Sequence, residues 1–152
     1  MTPPRTLKVK SSLSRQLARP GGRTVAEAER LANAALQTHR EGAFGELGDL
    51  VRRLERHCAE PTPGGEAEVY ALAVQIIDVA GFFATGAFYD AAYSLCDLSD
   101  RSRGTGRWSW DAVRVHVDAL RLLHGAGLQS ASSDAPELVA GLRQLAASVA
   151  PA

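Results

Sequence analysis

Apolar residues recur at helical spacing through most of the chain, and no segment alternates apolar and polar residues as a half-buried strand does. Glycine- and proline-containing stretches divide the pattern into successive helical segments. The connections between them are short, which favours antiparallel neighbours. The sequence therefore predicts an all-α fold: an up-and-down antiparallel four-helix bundle with an additional C-terminal helix and a basic N-terminal arm.

The first predicted helix follows the stretch ARPGG, whose proline and glycines interrupt regular structure. Thr24 and Glu27 have the spacing of a capping box, in which each side chain accepts a hydrogen bond from the other residue's backbone N–H. Because Gly42, Gly45 and Gly48 interrupt this helix, we expect it to be kinked or closely packed there. Mostly apolar residues recur at helical spacing along it, namely Val25, Ala28, Ala32, Leu36, His39, Ala43, Leu47, Leu50 and Leu54.

The second predicted helix runs from Glu66 to Phe83 and places Val69, Leu72, Ala73, Ile76, Ala80 and Phe83 toward the core. After a break near Gly86, a third helix carries Phe88, Ala92, Leu95 and Ser99 on one face. The polar, basic segment SDRSRGTGR, residues 99–107, is interpreted as a loop.

The fourth predicted helix begins within residues 108–111 and ends at the Gly125–Gly127 pair. Asp134, Pro136 and Glu137 have the residue types that open a helix. The last predicted helix then carries the apolar stripe Leu138, Leu142, Leu145 and Val149.

Charge divides the chain into two parts. Residues 1–23 contain six of the 17 basic residues and no acid. We therefore predict a basic arm over residues 1–22 and a mildly acidic helical-bundle domain over residues 23–152. Such an arm can bind nucleic acid or an acidic partner, or it can be solvated or fold onto the acidic body. It has no aromatic residue for base stacking, which disfavours nucleic acid.

The two cysteines and the hydropathy pattern bear on the compartment. Cys58 and Cys96 are isolated in sequence, which is typical of reduced thiols rather than of a disulfide framework or a zinc site. No apolar run reaches the length of a transmembrane helix, and the N-terminus lacks the apolar core of a signal peptide. We expect a cytoplasmic protein without membrane insertion.

Signals for enzyme chemistry are weak. The sequence has no phosphate-binding loop, no zinc-binding histidine pair and no serine nucleophile elbow. We therefore predict no enzymatic activity, no catalytic residues, no metal and no cofactor. Among the four histidines, His116 lies near the centre of the apolar arc of the fourth helix. A structural, buried and hydrogen-bonded histidine is the favoured interpretation.

The second helix has an unusual outer face. Val74, Asp78, Gly81 and Thr85 lie opposite Ile76, and Ile77 and Phe82 flank them. A glycine on such a face lets another backbone or side chain approach closely. We predict a partner-binding surface that comprises Val74, Ile77, Asp78, Gly81, Phe82 and Thr85. The alternative is that the basic arm or the terminal helix covers this face.

Three short motifs resemble histidine-phosphotransfer (Hpt) domains, which are four-helix bundles that pass a phosphoryl group to response-regulator receivers. Residues 80–83 match an Ala-Gly-x-Phe motif, residues 94–96 match Ser-Leu-Cys, and residues 116–120 match His-Val-Asp-Ala-Leu. The resemblance covers roughly residues 69–123 and is more specifically to Hpt-like proteins of alphaproteobacteria. The chain also resembles the chemotaxis accessory proteins called CheE.

The resemblance implies a signalling partner, but the residues that would carry out phosphotransfer are missing. In its register the phosphoacceptor histidine falls at Val74, and the lysine that neutralises the phosphoryl group falls at Ile77. Valine has no nucleophilic nitrogen, so this position cannot accept a phosphoryl group. The resemblance therefore implies a non-catalytic adaptor or modulator in bacterial two-component or chemotaxis signalling that binds a receiver domain or a histidine kinase.

Two alternatives stay open at this point. A genuine phosphotransfer protein could use a relocated histidine, with His116 or His39 as the alternative phosphoacceptor. A structural partner-binding protein unrelated to phosphorelay could share only the fold.

Overall fold

A computed structural model describes Gly21 and residues 23–83, 85–127 and 135–149. Every regular element within these ranges is an α-helix, which confirms the predicted all-α class. The five helices are α1 (Val25–Ala59), α2 (Gly65–Gly81), α3 (Ala87–Thr105), α4 (Trp110–Gly125) and α5 (Ala135–Ser148). Most of the predicted basic arm lies outside the described residues, so the boundary at residue 22 stays a prediction.

The helix α1 begins with the predicted capping box. The backbone N–H of Thr24 donates to Glu27 Oε2 at 3.4 Å, and the N–H of Glu27 donates to Thr24 Oγ1 at 3.2 Å. The chain divides into two compact units between Thr38 and His39. In the first unit, residues 23–38 are all exposed, so the apolar spacing from Val25 to Leu36 does not mark a buried face there.

The second unit, from His39 onward, contains one apolar core. The helix α3 packs against α2, α4 and α5, and α4 also contacts α5. The four residues predicted to share one face of α3 are all buried, namely Phe88, Ala92, Leu95 and Ser99. The part of α1 within this unit adds Leu47, Leu50, Val51, Leu54 and Cys58 to the same core.

Side-chain contacts fix two helix directions. A Cβ at Gly81 would lie beside Tyr89, whereas the guanidinium of Arg103 lies 5.2 Å from the ring centroid of Tyr70. Because the end of α2 meets the start of α3, these two helices are antiparallel. Helices α1 and α4 are also antiparallel, since His124 contacts Phe44 and Arg114 contacts Cys58. The complete up-and-down bundle topology stays a prediction.

The interpretation of residues 99–107 as a loop is wrong for residues 99–105, because α3 continues to Thr105, and only Gly106 and Arg107 of this segment lie outside a helix. Two local interactions support this last part of the helix. Arg101 Nε donates to both carboxylate oxygens of Asp97 at 2.9 Å, and Thr105 Oγ1 donates to the carbonyl of Arg101 at 2.9 Å. The helix ends at Gly106, whose φ of 66° is a left-handed conformation that glycine adopts without strain.

The three glycines of α1 have different surroundings. A Cβ at Gly42 or Gly45 would meet no atom within 4 Å, whereas one at Gly48 would lie 2.9 Å from His124 Cε1. The imidazole of His124 is itself held in place, because it stacks on Phe44 with ring centroids 4.1 Å apart and its Nε2 donates to the Phe44 carbonyl at 2.9 Å. The predicted close packing is therefore found at Gly48 and not at the other two glycines.

Two alanine substitutions test this difference. Gly45→Ala should stabilise the protein by up to about 1 kcal/mol, because alanine has the higher helix propensity and meets no neighbour. Gly48→Ala should instead destabilise it by about 1–3 kcal/mol through the clash with His124. Chemical denaturation of both variants measures the change in the free energy of unfolding. Equal changes in the two variants would contradict the close contact at Gly48.

Candidate partner-binding surface

The helix α2 separates a buried face from an outer face. Five of the six residues predicted to face the core are buried, namely Val69, Leu72, Ala73, Ile76 and Ala80, and Phe83 is half-buried. On the outer face, Val74 lies three residues before Ile77 and four before Asp78, and Gly81 lies three residues after Asp78 and four after Ile77. This spacing places the four residues along one side of the helix.

These four residues differ in exposure. Asp78 and Gly81 are exposed, whereas Val74 and Ile77 are half-buried, and Ile77 packs against the core. The outer face is therefore accessible mainly at its C-terminal end, where Asp78 and Gly81 lie. Val74 lies less than two turns before Gly81 on the same helix.

The placement of Thr85 on this exposed face is wrong, because Thr85 is only 3% exposed. The helix α2 ends at Gly81, so the helical spacing that relates positions 78 and 81 does not extend to position 85. The Thr85 hydroxyl turns back and donates to the carbonyl of Ala80 at 3.3 Å, which also accepts from the backbone N–H of Phe83 at 3.2 Å.

Phe82 follows the last residue of α2 and is 86% exposed. A phenyl ring contributes a large apolar area, and leaving it in water forgoes the free energy of burial that a core position would provide. Among the apolar side chains exposed on the described residues, it is a strong candidate for burial against another molecule.

Two tyrosines extend this surface onto α3. A Cβ built on Gly81 would lie 3.6 Å from the ring of Tyr89, and the rings of Tyr89 and Tyr93 stack with centroids 6.5 Å apart. Tyr93 is 58% exposed. We call Gly81, Phe82, Tyr89 and Tyr93 the aromatic face. Sequence reasoning missed both tyrosines, although their spacing of four residues, which places them on one side of α3, is a usable signal.

His116 has the predicted structural environment. It is fully buried on α4, and both ring nitrogens form hydrogen bonds within the core. A carbonyl oxygen can only accept, so Nδ1–H donates to the Ala112 carbonyl at 2.8 Å. Nε2 is then unprotonated and accepts from the Ser94 hydroxyl at 3.0 Å. Both nitrogens are occupied, and neither faces solvent.

Burial lowers the pKa of His116 below the usual 6.5, and hydrogen bonding to the backbone of Ala112 and Leu142 opposes this effect only in part. The physical cause is the loss of water around the charged imidazolium. A second proton would also remove the lone pair that accepts the Ser94 hydrogen bond. The folded protein therefore favours a neutral His116.

The other histidines lie at different places on the structure. His57 Nε2 lies 2.9 Å from Glu68 Oε2, which links α1 to α2. His124 lies over Gly48, as described above. His39 is exposed on α1, so it is accessible to solvent and to other proteins.

The described residues contain no group of three or more His, Cys, Asp or Glu side chains placed to hold a metal ion. The two free cysteines are poorly activated, because burial raises the pKa of both the Cys58 and the Cys96 thiol. Among the described helices, none combines the length and the apolar character needed to cross a membrane.

Comparison with known proteins identifies no relative: no protein-family model, no curated protein and no solved structure matches the chain.

The buried His116 predicts how stability depends on pH. Its pKa is lower in the folded than in the unfolded chain, so the unfolded chain takes up the proton more readily as the pH falls. The stabilising contribution is complete above the unfolded value of about 6.5 and is lost below it, by at most about 1.4 kcal/mol per pH unit. Urea unfolding at a series of pH values between about 7.5 and 5.5 measures this slope.

The variant His116→Gln is the control, because glutamine can pair with Ser94 and Ala112 and does not titrate. The free energy of unfolding should fall less steeply with decreasing pH in this variant than in the original protein. All other titrating groups are the same in both proteins, so identical slopes would contradict a lowered pKa at His116.

Proposed function

We propose that this protein is a non-catalytic Hpt-like adaptor or modulator in bacterial two-component or chemotaxis signalling. In this proposal it binds a receiver domain or a histidine kinase through the C-terminal end of α2. The observation that carries the proposal is the aromatic face, which exposes Phe82 and Tyr93 near the C-terminal end of α2, the helix on which the Hpt register places the phosphoacceptor at Val74. An exposed aromatic surface of this kind favours protein–protein contact.

The side chains around Val74 argue against phosphotransfer at this surface. Valine offers no nucleophile, and its side chain is half-buried. Asp78, one turn later, places an exposed carboxylate where a phosphoryl group would have to approach, and the two negative charges would repel each other. Docking without chemistry is therefore the function that these residues support best.

The structure bears differently on the two alternatives, a relocated phosphoacceptor histidine and a partner-binding protein unrelated to phosphorelay. His116 is a poor phosphoacceptor, since a phosphoryl donor could reach it only if the core opened. His39 is exposed and stays a candidate for a relocated acceptor. A structural partner-binding protein unrelated to phosphorelay would use the same aromatic face, so only the identity of the partner separates it from the proposed function.

A phosphotransfer assay tests whether the protein is non-catalytic, as proposed. The protein should gain no acid-labile, base-stable phosphoryl group when it is mixed with phosphorylated receivers or active histidine kinases. Radiolabel transfer is the measurement, and a genuine Hpt domain is the positive control. Label that disappears in His39→Gln or in His116→Gln would overturn the adaptor proposal and identify the acceptor.

The variant Gly81→Arg tests whether a partner binds at the C-terminal end of α2. A side chain at this position meets Tyr89 only at ordinary van der Waals distance, so the fold should accommodate it. Replacing glycine in a helix also favours stability by up to about 1 kcal/mol. Stability should therefore hold or rise, while binding to the partner found in a panel of receivers and kinases should weaken at least tenfold, about 1.4 kcal/mol.

Two controls accompany this variant. Gly141→Arg adds the same side chain at an exposed glycine on α5 with no atom within 4 Å, and it should leave binding unchanged. Ile76→Ala removes a buried core side chain and should cost about 2–5 kcal/mol of stability. If Gly81→Arg binds as tightly as Gly141→Arg, the docking surface lies elsewhere.

A further inference from the structure

The part of the chain that forms the aromatic face carries charge of one sign. Between Arg56 and Arg101 there is no lysine or arginine, while seven acids occur: Glu60, Glu66, Glu68, Asp78, Asp90, Asp97 and Asp100. This stretch includes all of α2 and most of α3. The two helices pack against each other as an antiparallel hairpin, so the acids that they carry lie on the same part of the structure.

Several of these acids already have partners. Glu68 pairs with His57, Asp90 pairs with Arg143 of α5 at 2.9 Å, and Asp97 pairs with Arg101. Asp78 and Asp100 are exposed and form no ion pair with any residue that the structure describes. Glu60 and Glu66 also form no ion pair with a described residue, but of these four acids only Asp78 lies within one helical turn of Gly81.

Asp78 lies at the edge of the aromatic face, three residues before Gly81 on the same side of α2. The nearby Tyr89 and Tyr93 rings can also attract a cation, since the face of an aromatic ring carries negative partial charge. Arg103 already contacts the ring of Tyr70 in this way at the other end of the hairpin. One turn before Gly81 there is therefore a carboxylate, beside Gly81 there is a tyrosine ring, and directly after it there is the exposed Phe82.

We infer that the aromatic face recognises a basic amphipathic helix of a partner protein. Apolar side chains of that helix would contact Phe82 and the tyrosine rings, while its lysines or arginines would pair with Asp78 and lie over the rings. This inference rests on the proposed function for the role of the surface and adds the chemistry of the partner. An acidic hairpin repels a nucleic-acid backbone, so nucleic acid is not the ligand.

Two synthetic amphipathic peptides test the inference. They share the same leucine positions and carry either lysine or glutamate at every polar position. Fluorescence anisotropy with the full chain should show at least tenfold tighter binding of the lysine peptide, and that binding should weaken as salt is added. Equal affinity for the two peptides would overturn the inference.

Matched variants locate the contact. Asp78→Asn and Phe82→Ala should each weaken lysine-peptide binding at least threefold. Glu137→Gln changes the net charge by the same amount on α5, and Leu122→Ala removes an exposed apolar side chain on α4, so neither should change the affinity. If the control variants weaken binding as much as the test variants do, the attraction is general to the protein and the inference is wrong.

The inference and the proposed function fail under different results. If the lysine peptide binds as described but no receiver or kinase binds, the proposed function is wrong and the partner chemistry stands. If a receiver or kinase binds in a Gly81-dependent way but its affinity is insensitive to salt and to Asp78→Asn, the proposed function stands and the basic partner helix is wrong.

Discussion

The structure depends on how closely three helices pack around α3. Most of the side chains that α3 buries are small, namely Ala91, Ala92, Ser94, Ser99 and Ser102 beside the larger Phe88, Leu95 and Leu98. Small side chains let neighbouring helix axes approach, and their polar atoms need partners inside the core. Ser99 donates to the carbonyl of Leu95 at 2.8 Å, and Ser94 donates to His116. Ser94 and Ser99 therefore both allow close helix packing and form hydrogen bonds inside the core.

This packing also decides which residues of α3 reach the surface. With α2, α4 and α5 against it, α3 keeps only a narrow outer stripe, and Tyr89 and Tyr93 belong to it. Tyr93 is thus exposed and Tyr89 half-buried beside the end of α2, as a consequence of how α3 is covered. The aromatic face is built by two helices and is not a property of α2 alone.

The sequence predicts the helical core of the second unit well, because apolar spacing and burial have the same physical origin. The spacing of Ile76 and Ala80, and the central place of His116 in an apolar arc, all correspond to buried positions. Secondary structure is harder to predict where side-chain hydrogen bonds support a helix in a segment whose polar composition is typical of a loop. The polar residues of the last turns of α3 look like a loop, yet Asp97, Arg101 and Thr105 support a helix through side-chain bonds at a spacing of four residues.

The candidate surface was predictable only in part. Asp78, Gly81 and Phe82 follow from the face opposite Ile76, but the position of Thr85 depends on where α2 ends. The involvement of Tyr89 depends on how α2 and α3 pair, which a single sequence does not specify. Similarly, the apolar spacing from Val25 to Leu36 continues the pattern of α1, although Val25 is 83% exposed. Helical periodicity describes one helix, whereas burial depends on what packs against it.

The two tryptophans of the chain have a spectroscopic consequence. Trp108 and Trp110 contact each other edge to face with centroids 5.5 Å apart, and a Cβ at Gly65 would lie 3.3 Å from the Trp110 ring. Both indoles therefore lie where α2 and α4 begin. Gly81 lies at the opposite end of α2, about 24 Å away at 1.5 Å per residue. Intrinsic tryptophan emission consequently reports the loosening of this junction when the protein unfolds, while a molecule bound beside Gly81 leaves the indoles in the same surroundings.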